Sequence, residues 1–314
     1  MAEPSKSGSR GRILPRYPVY VISKGRWDIP ACSSTARCLM QDRVPFRLVV
    51  EPPEAEAYGW RFGAEKLLVL PFHDLGQGSI PARNWVWEHA ARAGHERHWI
   101  LDDNIRDFRY RSHGVRVVCN AGNALRATED FTERYEDVAI SGLNYQMFIT
   151  DNKSYAPFTV NHRVYSCMLI LNRLPFRWRG RYNEDTDLCL QVLAAGFYTI
   201  MVNVFMIYKV ATMQLKGGNT DQLYAGDGRL KMARSLERQW PGVVTVGRRF
   251  HRPQHVVDWT RFYRPLKLRP GLQPADGIDD YGLVPIQVKP RIQHAEMREL
   301  LERERARRNH AGTR

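Results

Sequence analysis

Apolar residues in this chain fall in short, nearly continuous runs, and between the runs lie polar segments long enough for helices. PVYVISKGR (18–26) predicts a buried strand entering a polar loop, FRLVVEP (46–52) a second strand and KLLVLPF (66–72) a third. Their Val, Leu and Ile content suits central strands of a parallel sheet, covered on both faces. ACSSTARCLMQ (31–41) is the clearest helix between them. A further helix starts at Ile80-Pro81 and runs through ARNWVWEHAARAG, with Pro81 suited to its first turn and Gly94 to its stop. HWIL (98–101) predicts a fourth strand that ends in Asp102, Asp103 and Asn104. Beyond it the pattern predicts a helix around ALRATEDFTERYE (124–136), a strand at VAISGLNY (138–145) and hairpin material over 147–172. An amphipathic helix over 183–196 closes at Gly196, and FYTIMVNVFMIY (197–208) reads as a strand pair or one long strand. The segment 223–242 ends in a helix stopped by Pro241-Gly242, 243–290 gives no assignment, and 292–309 reads as an exposed helix carrying Ile292, Met297, Leu300 and Leu301. Alternation of this kind predicts an α/β layered fold.

The 314 residues suffice for one large domain or two small ones, with a core that needs no stapling. Hydrophobic residues at 43% and charged residues at 25% are ordinary for a globular chain, and eight Trp with fourteen Tyr exclude wholesale disorder. No apolar run approaches the ~18 residues of a membrane-spanning helix, and the first twelve residues lack an apolar signal core, so the expected location is cytoplasmic, with no membrane partner. The five cysteines, Cys32, Cys38, Cys119, Cys167 and Cys189, are odd in number and form no CxxC pair, which argues against a disulfide framework or zinc ribbon. Net charge is +14. Residues 1–16 carry four basic and one acidic side chain, and residues 289–314 eight and four, which leaves the body at +7. A basic body attracts polyanions such as nucleic acid, nucleotide phosphates or an anionic membrane.

Two acidic constellations carry the chemistry. Trp99-Ile100-Leu101-Asp102-Asp103-Asn104 places carboxylates where a buried strand ends, and ligands of open α/β sheets bind at that edge. Adjacent ionised carboxylates favour a bound cation, and Mg²⁺ or Mn²⁺ beside a diphosphate would supply one. An Asx-rich turn capping a following helix is the alternative. Tyr182-Asn183-Glu184-Asp185-Thr186-Asp187 puts three acids in the first turn of a helix, where complementing the helix dipole needs only one or two.

Together these residues resemble the GT-A glycosyltransferases, with the first cluster at their DxD position and the second at their xED position. ISKGR (22–26), the Ile80-Pro81-Ala82-Arg83-Asn84 helix start, ILDDN (100–104), YNEDTDLCLQVLAAG (182–196) and KGGNT (216–220) more specifically resemble the TET-associated glycosyltransferases of bacteriophages. That family decorates 5-hydroxymethylcytosine in DNA with a sugar. The resemblance spans roughly residues 17–265. It implies a mixed, mostly parallel GT-A sheet flanked by helices, preceded by a basic tail (1–16) and followed by a basic C-terminal extension (266–314) with a charged helix. It also implies a UDP-sugar donor, assistance by Mn²⁺ or Mg²⁺, a DNA acceptor and a monomer or dimer in the cytoplasm of a phage host.

By the same resemblance Ser23, Lys24, Arg26 and Glu51 bind the nucleotide, and Arg83 and Asn84 hold the nucleotide-sugar. Asp102 binds the ribose or sugar. Asp103 binds the metal with Asn104, which stands where a third acid is expected, and His251 or His255 completes the metal shell. Asp185 is the catalytic base and Glu184 binds the donor or acceptor, two roles that are interchangeable at this stage. Gly217-Gly218-Asn219-Thr220 either wraps the diphosphate or acceptor or is a plain turn. Basic and aromatic residues interleave in three stretches, at 106–111, at 176–182 and at 248–252 with 259–264. Cations that neutralise phosphates and rings that stack on bases suit a DNA acceptor. Transfer to a protein or polysaccharide, and nucleic-acid binding without catalysis, are the competing readings.

Overall fold

The computed structural model describes residues 12–28, 34–150, 155–180, 182–209, 228–249 and 252–272. The chain divides into two compact units, Met1–Leu266 and Lys267–Arg314. The first is an α/β unit built on a ten-stranded mixed sheet.

Strands β1 (Val19–Ile22), β2 (Arg47–Val50), β3 (Leu67–Val69) and β4 (Arg97–Asp102) are mutually parallel and lie in the order β3-β2-β1-β4. They alternate with helices α1 (Ser34–Gln41), α2 (Ala55–Phe62) and α3 (Ile80–Arg92). The sheet continues through β9 (Cys167–Leu171), β7 (Val138–Tyr145) and β10 (Tyr198–Lys209) to the hairpin of β5 (Ile105–Ser112) and β6 (Val115–Cys119). One edge of β10 is taken by β7, and the other is shared by β8 (Phe158–Val160) and β5. Only β9, β5 and β8 run against the common direction, so the sheet is mostly parallel in sense. Helices α4 (Ala121–Thr132) and α5 (Glu184–Ala194) complete the layers. Helix α6 (Gly228–Gln239) and the hairpin of β11 (Val244–Arg249) and β12 (Arg252–Val257) follow.

The local causes are visible in the sequence. β4 is buried along nearly its whole length because it lies between β1 and β9, which explains the apolar Trp99-Ile100-Leu101 at its centre. Helix α3 has Pro in its first turn and buries Ala82, Arg83, Val86, Trp87 and Ala90, a stripe at helical spacing. Asn120 caps α4 by accepting from Gly122 N. Asn183, ahead of α5, adopts the left-handed conformation that Asn tolerates better than most residues. The main core joins Val86, Trp87, Ile100, Met168, Trp178 and Leu188. Gly142 of β7 lies so close to β9 that a Cβ there would collide with Cys167 O.

Two expectations change. The segment 147–172 is not a hairpin: β8 pairs with β10, whereas β9 fills the slot between β4 and β7. Asn104 starts no helix but the turn into β5, and the mixed region ahead of α4 is the β5–β6 hairpin. The 197–208 run is one long strand, and the unassigned region contains β11 and β12. The KGGNT stretch and the 292–309 helix lie outside the described residues.

Candidate active site

Parallel register brings the chemistry to one edge of the sheet. Ile22 of β1 is level with Asp102 of β4, so Ser23 and the acidic pair emerge side by side. Ser166, just before β9, accepts Asp102 N through its carbonyl at 2.9 Å. β7 ends at Tyr145 and β10 at Lys209, on the same edge. Thr35 of α1 fixes the turn: its hydroxyl donates to Asp102 O at 2.7 Å and accepts Ile105 N at 2.8 Å, and its amide donates to Asp103 O at 3.1 Å.

Consecutive side chains of an extended chain diverge, and the two acids have different neighbours. Asp102 Oδ1 accepts Arg83 Nη2 at 2.9 Å, and its Oδ2 accepts Lys209 Nζ at 2.6 Å and Ser166 Oγ at 2.7 Å. Burial opposes ionisation of this carboxyl, but Lys209 and Arg83 outweigh it and hold the group well below the usual carboxylate range. Burial likewise works against the Lys209 ammonium, and Asp102 and Tyr145 reverse the effect. Asp103 Oδ1 accepts Arg26 Nη1 at 2.6 Å and Oδ2 accepts Ser23 Oγ at 2.7 Å, with Tyr58 Oη 2.7 Å beyond Ser23. Burial dominates here and pushes Asp103 up to about 6 despite Arg26.

Arg83 links the two acidic clusters. Its Nη1 donates to Asp185 Oδ1 at 2.8 Å while Nη2 holds Asp102, and its guanidinium lies 5.4 Å from the Trp178 ring centre. Trp178 Nε1 donates to the same Asp185 oxygen at 2.9 Å. Asp185 Oδ2 accepts no hydrogen bond among the described residues, and it is not a sealed buried atom, the side chain being 16% exposed. Burial raises both Asp185 and its neighbour Glu184; the Asp185 charge adds to the rise of Glu184, which reaches about 7, and the Asp102 charge adds to that of Asp185, against Arg83. The third acid of this helix turn, Asp187, is fully buried and structural: it accepts from Arg179 Nε at 2.9 Å, Gln191 Nε2 at 2.8 Å and Trp240 Nε1 at 2.7 Å.

Asn84 spends its amide on the Trp178 backbone, with bonds of 2.8 and 3.0 Å, and so positions the ring that orients Asp185. Lys24 bridges Glu51 and Asp74, at 2.6 Å each, in a separate and more exposed cluster.

A divalent cation does not fit the described residues. All four oxygens of Asp102 and Asp103 are already held by cations or hydroxyls of the chain, in two separate groups. The remaining oxygen of the expected set, Asn104 Oδ1, is buried and without a partner, but it is neutral. His251 lies outside the described residues. His255 sits in β12 opposite Val246, and among the described residues no group of three or more His, Cys, Asp or Glu is placed to hold a metal ion.

The profile of the TET-Associated Glycosyltransferase family matches residues 17–218, a span that contains Ser23, Arg26, Arg83, Asp102, Asp103, Asp185 and Lys209. The chain belongs to the TET-associated glycosyltransferase family. No curated protein matches the sequence. Among solved structures the chain is similar to a Desulfovibrio desulfuricans G20 protein provisionally described as a nucleotide-diphospho-sugar transferase. Sequence identity is 10% and the TM-score 0.37, over 72% of this chain and 98% of that one.

Several residues of this glycosyltransferase's site are not evident from sequence. Lys209 ends a long apolar strand and resembles a solvent anchor until its pairing is seen; Ser166, Tyr145 and Tyr58 carry no motif. The basic-aromatic stretches also separate. Trp178 is core, Phe176 packs against that core and Arg179 is tied to Asp187, so these three residues of the second stretch are structural. Trp259 and Phe262 pack inward as well, and Arg264 donates to Phe197 O. In the first stretch Arg106 and Tyr110 are exposed and Arg106 lies over Tyr208, while Arg109, also over Tyr208, is tied to both oxygens of Asp107. No helix among the described residues is long and apolar enough to cross a membrane.

Proposed function

We propose that this glycosyltransferase moves a hexose from a UDP-sugar to the hydroxymethyl group of 5-hydroxymethylcytosine in DNA. The observation that carries the reading is Asp185. One of its oxygens is fixed by Arg83 and Trp178 while the other is left available, and the same Arg83 holds Asp102 at the sheet edge where a nucleotide-sugar would bind. The acceptor oxygen attacks the anomeric carbon, and its proton passes to Asp185 Oδ2. The bond from that carbon to the diphosphate oxygen breaks, and its electron pair leaves on the diphosphate. Glu184 lies beside the base and contacts the donor sugar or the acceptor. Ser23, Arg26 and Asp103 form the nucleotide side of the site, with Lys24 and Glu51 at its rim.

The DNA acceptor is supported by the family's TET association and by Arg106, which is exposed and lies over Tyr208, the residue before Lys209. Cations there would hold phosphates, and a base in a duplex must leave the stack to be modified. The test is to incubate the protein with hydroxymethylated DNA and a panel of UDP-sugars, then digest the DNA and weigh the nucleosides. A gain of one hexose on hydroxymethylcytosine is expected. Release of UDP with transfer to a glycan or protein, and none to DNA, would replace the acceptor; no turnover of any nucleotide-sugar would refute the reading.

A further inference from the structure

We propose that the counter-charge for the departing diphosphate comes from Lys209 and Arg83, on either side of Asp102, and not from a divalent cation. This rests on the nucleotide-sugar reading above. Three observations carry it. First, the acidic pair does not converge. Asp102 and Asp103 belong to separate groups, so one ion cannot take an oxygen from each without breaking the contacts to Arg83 and Lys209 or to Arg26 and Ser23. Second, the position after them is Asn104, whose neutral Oδ1 is a poor substitute for the charged oxygens that Mg²⁺ and Mn²⁺ prefer. Third, two fixed cations already stand at the sheet edge. Lys209 is oriented by Asp102 at 2.6 Å and Ser166 at 2.9 Å, and Arg83 by Asp102 and Asp185.

The arrangement also gives the charge a timing. Before transfer, Arg83 and Lys209 are balanced by Asp102 and Asp185. When Asp185 takes the acceptor proton it loses its charge, and the Arg83 guanidinium bonded to it is no longer offset. One positive charge is thereby released in the step that puts a negative charge on the diphosphate oxygen. Preorganised cations of this kind stabilise developing charge with no reorganisation at the moment of reaction.

The test is calorimetric titration of UDP, with GDP, TDP, CDP and ADP in parallel, into protein stripped with EDTA and into the same protein with excess Mn²⁺. The expected result is binding of one nucleotide with the same Kd, within about twofold, in both conditions. Manganese electron paramagnetic resonance checks the same point: adding protein should leave the signal of Mn²⁺ with UDP unchanged. Lys209→Met should weaken UDP binding about tenfold or more whether or not Mn²⁺ is present, while Lys209→Arg retains most of the affinity; circular dichroism reports folding of both. Binding that requires Mn²⁺, or tightens more than about tenfold with it while the resonance signal is quenched, overturns the proposal and leaves the donor reading standing. No nucleotide binding in either condition overturns both.

Discussion

Replacing Arg83 by Met tests the central link of the site. The Arg83 side chain is 8% exposed, donates to Asp185 at 2.8 Å and to Asp102 at 2.9 Å, and lies over Trp178. Methionine keeps most of the stem and removes the charge. Asp102 retains Lys209 and Ser166, so the damage falls on Asp185, left with Trp178 Nε1 alone. Breaking a buried pair by removing one partner costs about 3–5 kcal/mol. In a domain of this size each kcal/mol moves Tm by about 2–4 °C, so the fall should be roughly 6–20 °C. Equilibrium urea unfolding at neutral pH, followed by tryptophan fluorescence, measures the loss directly. Adding Asp185→Asn removes the stranded charge while keeping an acceptor for Trp178, so the double variant should recover about 1–3 kcal/mol of it. A single variant within about 1 kcal/mol of wild type, or a double variant with no recovery, would refute the reasoning that Arg83 neutralises this cluster.

Asp185→Asn alone should leave the fold intact and lower kcat by about 10²–10⁴, read in single-turnover transfer assays. Glu184 has its folded pKa raised to about 7 by burial and by Asp185, so its ionisation costs stability as pH rises through that value; Glu184→Gln should stabilise the protein at pH above 7 and lose that advantage as pH falls toward the carboxylate's ordinary range, measured by urea midpoints across pH. Gly142→Ala should destabilise by about 1–3 kcal/mol or more, because the added methyl meets the β9 backbone, and thermal unfolding will show it. Arg106→Ala should weaken DNA binding and reduce the salt slope of log K by about 1 without changing UDP affinity, measured by fluorescence anisotropy.

The parallel half of the sheet was legible because β1, β2 and β4 are mostly buried and therefore carry short apolar cores, Val19–Ile22, Leu48–Val50 and Trp99–Leu101. The acidic positions were legible because charges at the end of such a run have no structural reason to be there. The wiring between them was not. Arg83 is expected to hold the nucleotide-sugar, but only the packing of α3 shows that it faces inward and joins both clusters. Lys209 follows twelve residues that any pattern reads as strand, and its role depends on β10 running beside β7, far away in sequence. The β5–β6 hairpin was obscured by its composition: Arg106, Asp107, Arg109 and Arg111 mask an edge hairpin whose Val115, Val117 and Val118 remain exposed. Trp178 looked like a base-stacking ring because sequence cannot separate a tryptophan facing DNA from one packed on Trp87.

Strand β10 has a further consequence, in biosynthesis. It lies between β7 on one side and β5 and β8 on the other, so until residues 198–209 exist neither the β5–β6 hairpin nor β8 is paired with the rest of the sheet. At about 5–20 residues per second a ribosome needs roughly 5–20 s to travel from the end of β6 to Lys209. During that interval the nascent chain carries strand edges that await their partners, each a template for mispairing, which makes this the window in which a chaperone has most to protect. The strand that closes the sheet ends in the lysine that grips Asp102, so completion of the sheet and delivery of this lysine to the site become a single event as the chain is made.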